Sequence, residues 1–165
     1  MKVVFHKDFY QVYTFEPAAE AGRMEASSYS SWGFCYFNNM AIALVVLRQE
    51  GLISTALVLD IDLHFGDGTV NIHNPSERSR EEYVRQVGHI LSGVQVDLIG
   101  ISAGFDNHID DWGGLLETED YFSIGTMVRQ TARASGGGCF AILEGGYNHD
   151  VLGHNVAALI DGLSS

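Results

Sequence analysis

Three short aliphatic runs stand out along the chain: Ala56-Leu57-Val58-Leu59-Asp60-Ile61, Val96-Asp97-Leu98-Ile99-Gly100-Ile101 and Cys139-Phe140-Ala141-Ile142-Leu143. Nearly continuous apolar runs of this length predict strands covered on both faces, as in a parallel sheet. Helical periodicity fills the intervals. Ser79-Arg80-Glu81-Glu82 reads as a capping box, followed by an apolar stripe of Tyr83, Val84, Val87, Ile90 and Leu91. Thr118-Glu119-Asp120 opens a further helix with acids in its first turn; Arg129 and Arg133 close it, and Gly136, Gly137 and Gly138 stop it. Two more helices are predicted over 39–50, stopped by Gly51, and over 149–160. An opening strand is expected at 3–6, whereas 7–37 show no sustained period and receive no element. Strand alternating with helix predicts an α/β fold: three αβα layers around a mostly parallel sheet, with right-handed crossovers.

Composition narrows the class. A chain of 165 residues with 46% apolar and 18% charged positions fits one globular domain. No repeat, linker or low-complexity tract divides it, so a single domain over 1–165 is expected. The longest apolar run, 40–47, is far short of the roughly 20 residues a membrane helix needs. His6, Lys7 and Asp8 interrupt the opening too soon for a signal peptide, so a cytoplasmic protein starting at Met1 is expected. Cys35 and Cys139 lack CxxC spacing and read as buried free thiols. With 21 acids against 9 bases the formal charge is -12. That balance argues against direct nucleic-acid binding and would weakly steer a cationic substrate inward.

In an open parallel sheet, ligands bind outside the carboxyl ends of the strands. The segments at those ends are Asp60-Ile61-Asp62-Leu63-His64, Ser102-Ala103-Gly104-Phe105-Asp106 and Glu144-Gly145-Gly146-Tyr147. Asp62 and His64 are two apart, so in an extended chain their side chains leave on the same face. That spacing suits two ligands of one metal. Asp106 would add a third, leaving a position open for water and substrate, as in a catalytic zinc site. The imidazole favours zinc over magnesium, and iron(II) would accept the same set. The bland alternative is that these acids cap loops and helix N-termini. His108 lies close in sequence, while the remaining histidines read as surface or packing residues.

Gly33-Phe34-Cys35-Tyr36-Phe37-Asn38-Asn39, the segment from Asp60 through His64 to Gly68-Thr69, Ser102-Ala103-Gly104-Phe105-Asp106 and Leu143-Glu144-Gly145-Gly146-Tyr147 form an ordered set. It resembles the zinc-dependent histone deacetylase and acetylpolyamine amidohydrolase superfamily from about residue 27 onward. The resemblance implies a shortened arginase/deacetylase-like fold and hydrolysis of an acylated amine, of N-acetyl-lysine or acetylpolyamine type. It places Asp62, His64 and Asp106 on zinc, Tyr147 as donor to the developing oxyanion, and Gly33 and Phe34 along the substrate channel. It further assigns Asp60 to a structural monovalent cation, potassium. The chemistry is coherent: a metal polarises the amide carbonyl and acidifies a water, while a phenol stabilises the tetrahedral oxyanion.

The resemblance has gaps. Its members carry a tandem His-His-Ala shortly before the motif at Gly33, the source of general base and acid, and here Met24-Glu25-Ala26 stands in that place. The chain is also short, and segments before Ser27 and after Ile72 read as lost. Loss of general-base catalysis costs about 10²- to 10⁴-fold, so weak turnover is expected. Glu25 is a candidate substitute base. A different class of function is a non-catalytic remnant that binds metal or an acyl-lysine ligand without hydrolysing it. A third reading takes Asp60-Ile61-Asp62 as the DxD of a magnesium phosphotransferase, against which Leu63-His64-Phe65 stands where Gly-Thr would come next. A sheet shortened at one side would offer an edge to a second copy of the chain.

Overall fold

The computed structural model describes residues 38–64, 66 and 79–165. Their elements run α1 (Asn39–Gln49), β1 (Ala56–Asp60), α2 (Arg80–Leu91), β2 (Leu98–Ala103), α3 (Thr118–Ala134), β3 (Gly138–Leu143) and α4 (His149–Ser164). The expected opening strand at 3–6, together with Glu25, Gly33, Phe34 and Cys35, lies outside the described residues.

The helices start where side chains satisfy their first N–H groups. Asn38 Oδ1 accepts from the Ala41 N–H at 2.8 Å, Ser79 Oγ from Glu82 at 3.3 Å and Asn148 Oδ1 from Asp150 at 3.0 Å. At α3 the Asp120 carboxylate reaches back to the Glu117 N–H at 2.8 Å, and Arg80 bridges Glu117 and Asp120 at 2.7 and 2.6 Å. That ion-pair group joins the starts of α2 and α3.

The strands form one parallel sheet in the order β1-β2-β3. Leu57, Ile99 and Cys139 are neighbours across it, as are Val58, Gly100 and Phe140. Alternation sends these two rows to opposite faces. Leu57, Leu59, Ile99 and Ile101 pack with Tyr83 and Val87 of α2, Tyr121, Ile124 and Val128 of α3, and Leu159 of α4. Val58 packs with Met40 of α1, Phe140 and Ile142 on the other side. Helices therefore cover both faces, as the continuous apolar strands require, and the expected three-layer α/β arrangement is what the chain adopts.

The differences from expectation have local causes. β2 begins at Leu98 rather than Val96: the Asp97 N–H donates to Thr55 Oγ1 at 3.1 Å rather than to a neighbouring strand, while its carboxylate accepts the N–H groups of Ser54 and Thr55 at 2.7 and 2.9 Å. α4 continues past 160 to Ser164 because Leu159 and Gly162 are buried against α3. Cys139 is half-buried rather than buried; among the described residues its strand is paired on one side only. No helix among the described residues is long and apolar enough to cross a membrane.

Candidate metal centre

β1 and β2 run side by side with Asp60 opposite Ser102, so the segments beyond their carboxyl ends emerge at one edge of the sheet. The DxDxH segment does not stay extended there. Asp60 Oδ1 accepts the N–H of Asp62 at 3.0 Å, and Asp62 Oδ1 in turn accepts the N–H of His64 at 2.9 Å. Two successive carboxylate-held turns of this kind, over 60–62 and 62–64, replace the strand pleat. They correct the expected cause: Asp62 and His64 meet through turns, not through strand alternation.

His64 Nδ1 lies 3.2 Å from Asp62 Oδ1 and 3.1 Å from Asp106 Oδ2. Ligand atoms of Asp62, His64 and Asp106 all fall within 4.8 Å of one another. Each carboxylate is oriented by a backbone donor from another segment: Asp106 Oδ1 accepts from Leu63 N–H and Asp62 Oδ2 from Gly145 N–H, both at 3.0 Å. Asp106 is fully buried and Asp62 nearly so, while a third of the His64 side chain remains exposed. The set thus has a closed carboxylate floor and an imidazole at the rim.

These residues fit a divalent cation. Two buried carboxylates and an imidazole converge, and like charges at such range favour a cation between them. Space is reserved for the convergence. A Cβ at Gly145 would stand 2.6 Å from Asp106 Oδ2 and 2.7 Å from Asp62 Oδ2, and one at Gly104 would strike the Asp62 carboxylate.

Asp60, 1% exposed, is buried at the root of this set. Tyr83 of α2 faces the same region: burial, then the charges of Asp60, Asp62 and Asp106, push its hydroxyl far above the ordinary phenol range, so it stays protonated. Asn107 Nδ2 donates to the Ile61 carbonyl at 2.9 Å and lies 3.5 Å from the Tyr83 hydroxyl. It ties the loop after β2 to the end of β1. In the sequence Tyr83 is marked only as part of an apolar stripe, and the sole local signal for Asn107 is its place next to Asp106.

Tyr147 stacks on Trp112, with ring centroids 4.1 Å apart and planes at 17°, and Trp112 meets the His64 ring edge-on at 5.9 Å. Trp112 likewise belongs to none of the motifs that mark the site in the sequence. An open depression beside this pair is lined by Asp110, Asp111 and the first residues of α4; it does not include Asp62, His64 or Asp106. His108 is buried, its Nδ1 accepts from the Asp110 N–H at 3.1 Å and its ring stacks on Tyr121. It shapes the loop. Gly33 and Phe34, the expected channel residues, lie outside the described residues.

Comparison with known proteins places this geometry. The family model of the histone deacetylase domain matches residues 19–80 and 69–163. A probable deacetylase of Methanothermobacter thermautotrophicus is 33% identical over 180 residues, covering 81% of this chain and 53% of the relative. A probable deacetylase of Archaeoglobus fulgidus is 30% identical over 171 residues, covering 74% and 47%. Both alignments exceed the 165 residues of this chain, so the relatives carry residues inside the aligned region that it does not. The chain spans about half the length of these curated relatives. The crystal structure of an acetylpolyamine aminohydrolase from Burkholderia pseudomallei superposes with a TM-score of 0.71 at 20% identity, covering 87% of this chain and 54% of that one, which establishes a shared fold. Since the family match includes all three strands and the loops that bring Asp62, His64, Asp106 and Tyr147 to one edge, the chain belongs to the histone deacetylase domain family.

Proposed function

We propose that this chain hydrolyses an acylated amine, of N-acetyl-lysine or acetylpolyamine type, at a metal ion held by Asp62, His64 and Asp106. The convergence of those three ligand atoms within 4.8 Å carries the reading. Zinc is the ion we assign, on the imidazole and carboxylate donors, with iron(II) accepted by the same set. A bound zinc ion would polarise the acyl carbonyl and bring a water's pKa to about 7.

The chain's own residues supply the rest. Gly145 N–H and Leu63 N–H orient the two carboxylates. The Tyr147 hydroxyl donates to the developing oxyanion, and the family resemblance assigns Gly33 and Phe34 to the path of the acyl-amine chain. Asp60 contributes to a monovalent cation site, potassium by the family resemblance. Met24-Glu25-Ala26, where the tandem histidines are expected, leaves no imidazole there to move the proton, so turnover is weak. The same residues favour a second reading, in which the chain binds metal and an acyl-lysine ligand without hydrolysis.

The test is a calorimetric zinc titration of metal-free protein beside an Asp62→Ala, His64→Ala variant, followed by hydrolysis assays on an acetyl-lysine peptide and an acetylpolyamine. One tight site lost in the variant, with hydrolysis that disappears alongside it, is the expected result. Tight zinc and hydroxamate binding without hydrolysis would establish the second reading. No specific site would overturn both.

A further inference from the structure

Tyr147 comes directly after two glycines, Gly145 and Gly146, and Gly146 has φ +138°, a conformation that residues with a Cβ avoid. The loop after β2 holds this pliable segment in place. Asp111 Oδ2 accepts the N–H groups of both Tyr147 and Asn148 at 2.8 Å, and its Oδ1 accepts the N–H of Trp112, also at 2.8 Å. Asn148 Nδ2 returns a bond to the Asp110 carbonyl at 2.7 Å. One carboxylate therefore fixes the backbones of Trp112 and Tyr147 together, with the added strength of charge-assisted bonds.

The rings accompany the backbones. Trp112 stacks on Tyr147 at 4.1 Å and makes a T-shaped contact with His64 at 5.9 Å. Core burial does not explain this placement, because the Trp112 side chain is 61% exposed. Its ring contacts instead join the candidate ligand to the candidate oxyanion donor.

We infer that Asp111 and Trp112 are positioning residues for Tyr147: Asp111 fixes the backbone that carries it, and Trp112, itself in contact with His64, fixes its ring by stacking. The inference rests on the reading of Tyr147 as oxyanion donor. A misplacement of about 1 Å at such a group costs on the order of 10²-fold in rate, so the pair governs kcat through the placement of Tyr147.

The experiment compares zinc-loaded wild type with Trp112→Ala, Trp112→Phe and Asp111→Ala. It measures kcat and KM on an acetyl-lysine peptide, zinc affinity by calorimetry, and the near-UV circular dichroism of the stacked pair. Both alanine variants are expected to lose about 10²-fold in kcat with KM and zinc affinity unchanged, and to lose the near-UV band. Trp112→Phe, which retains a ring, is expected to recover most of the rate. An unchanged kcat in either alanine variant, or a loss that tracks zinc affinity, would overturn the inference. If the wild type binds zinc but turns nothing over, the hydrolytic reading fails by itself. The positioning claim is then decided by the near-UV band: its loss in Asp111→Ala sustains the claim, and its persistence refutes it.

Discussion

Gly145 donates its backbone N–H to Asp62 Oδ2 at 3.0 Å across 83 residues of sequence. The third strand end thus contributes a donor and an open space to the candidate metal centre rather than a candidate ligand. An alanine Cβ at 145 would press on both Asp106 Oδ2 and Asp62 Oδ2, at 2.6 and 2.7 Å. Gly145→Ala is expected to destabilise the fold by about 1–3 kcal/mol, the usual cost of overpacking, and to weaken zinc binding at least tenfold, a difference of about 1.4 kcal/mol. Thermal unfolding and calorimetry on the same samples read both effects, and an unaltered zinc affinity would show that the carboxylates relax without losing their convergence.

A ligand that binds only the folded chain stabilises it by mass action. Zinc at about 100 times its Kd is expected to add roughly 2.7 kcal/mol and raise Tm by several degrees, an increment that a chelator removes. Asp106→Asn keeps an oxygen able to accept the Leu63 N–H but removes the charge. Its Tm is expected to be indifferent to zinc and chelator alike in a thermal scan.

Asp97 joins the approaches to β1 and β2. The N–H groups of Ser54 and Thr55 hold its carboxyl below the ordinary 3.8. A carboxyl depressed in the folded state contributes stability above its unfolded pKa and loses that contribution as the pH falls through its folded value. Asp97→Ala is therefore expected to unfold at a lower denaturant concentration than wild type at neutral pH, with the gap narrowing below pH 3.8. A gap that stays constant down to acid pH would exclude the carboxylate as its source.

α3 and α4 approach closely enough that only glycine fits at the crossing. A Cβ at Gly162 would strike the Phe122 carbonyl and stand 2.9 Å from the Thr126 nitrogen; one at Gly125 would stand 2.6 Å from the Leu159 carbonyl oxygen. These are backbone atoms, so the helices must separate. Gly162→Ala is expected to cost about 1–3 kcal/mol from crowding, against a helix-propensity gain of at most about 1 kcal/mol. Denaturant titration measures the net loss, and zinc affinity is expected to stay at the wild-type value because the crossing lies away from the ligands.

Local pattern made much of the fold legible. Continuous apolar runs marked the three strands, and Ser79 marked the start of α2 by capping chemistry that acts within three residues; the same chemistry at Asn38 and Asn148 came to light only in the structure. The juxtaposition of Asp62, His64 and Asp106 was legible too, because parallel strands deliver the loops at their carboxyl ends to one edge. The features that the sequence concealed depend on partners far along the chain. Asn107 bonds Ile61 across 46 residues, Asp111 bonds Tyr147 across 36, and the space at Gly145 belongs to two carboxylates from other loops. Even the DxDxH segment brings its side chains together by two carboxylate turns that strand periodicity does not encode. The sequence alone determined the strands and helices among the described residues and the sheet edge at which the candidate ligands gather, since propensity, capping and apolar period are short-range. Only the tertiary structure decided which backbone donor orients each carboxylate and which ring braces Tyr147, because those depend on how separate loops come together in space.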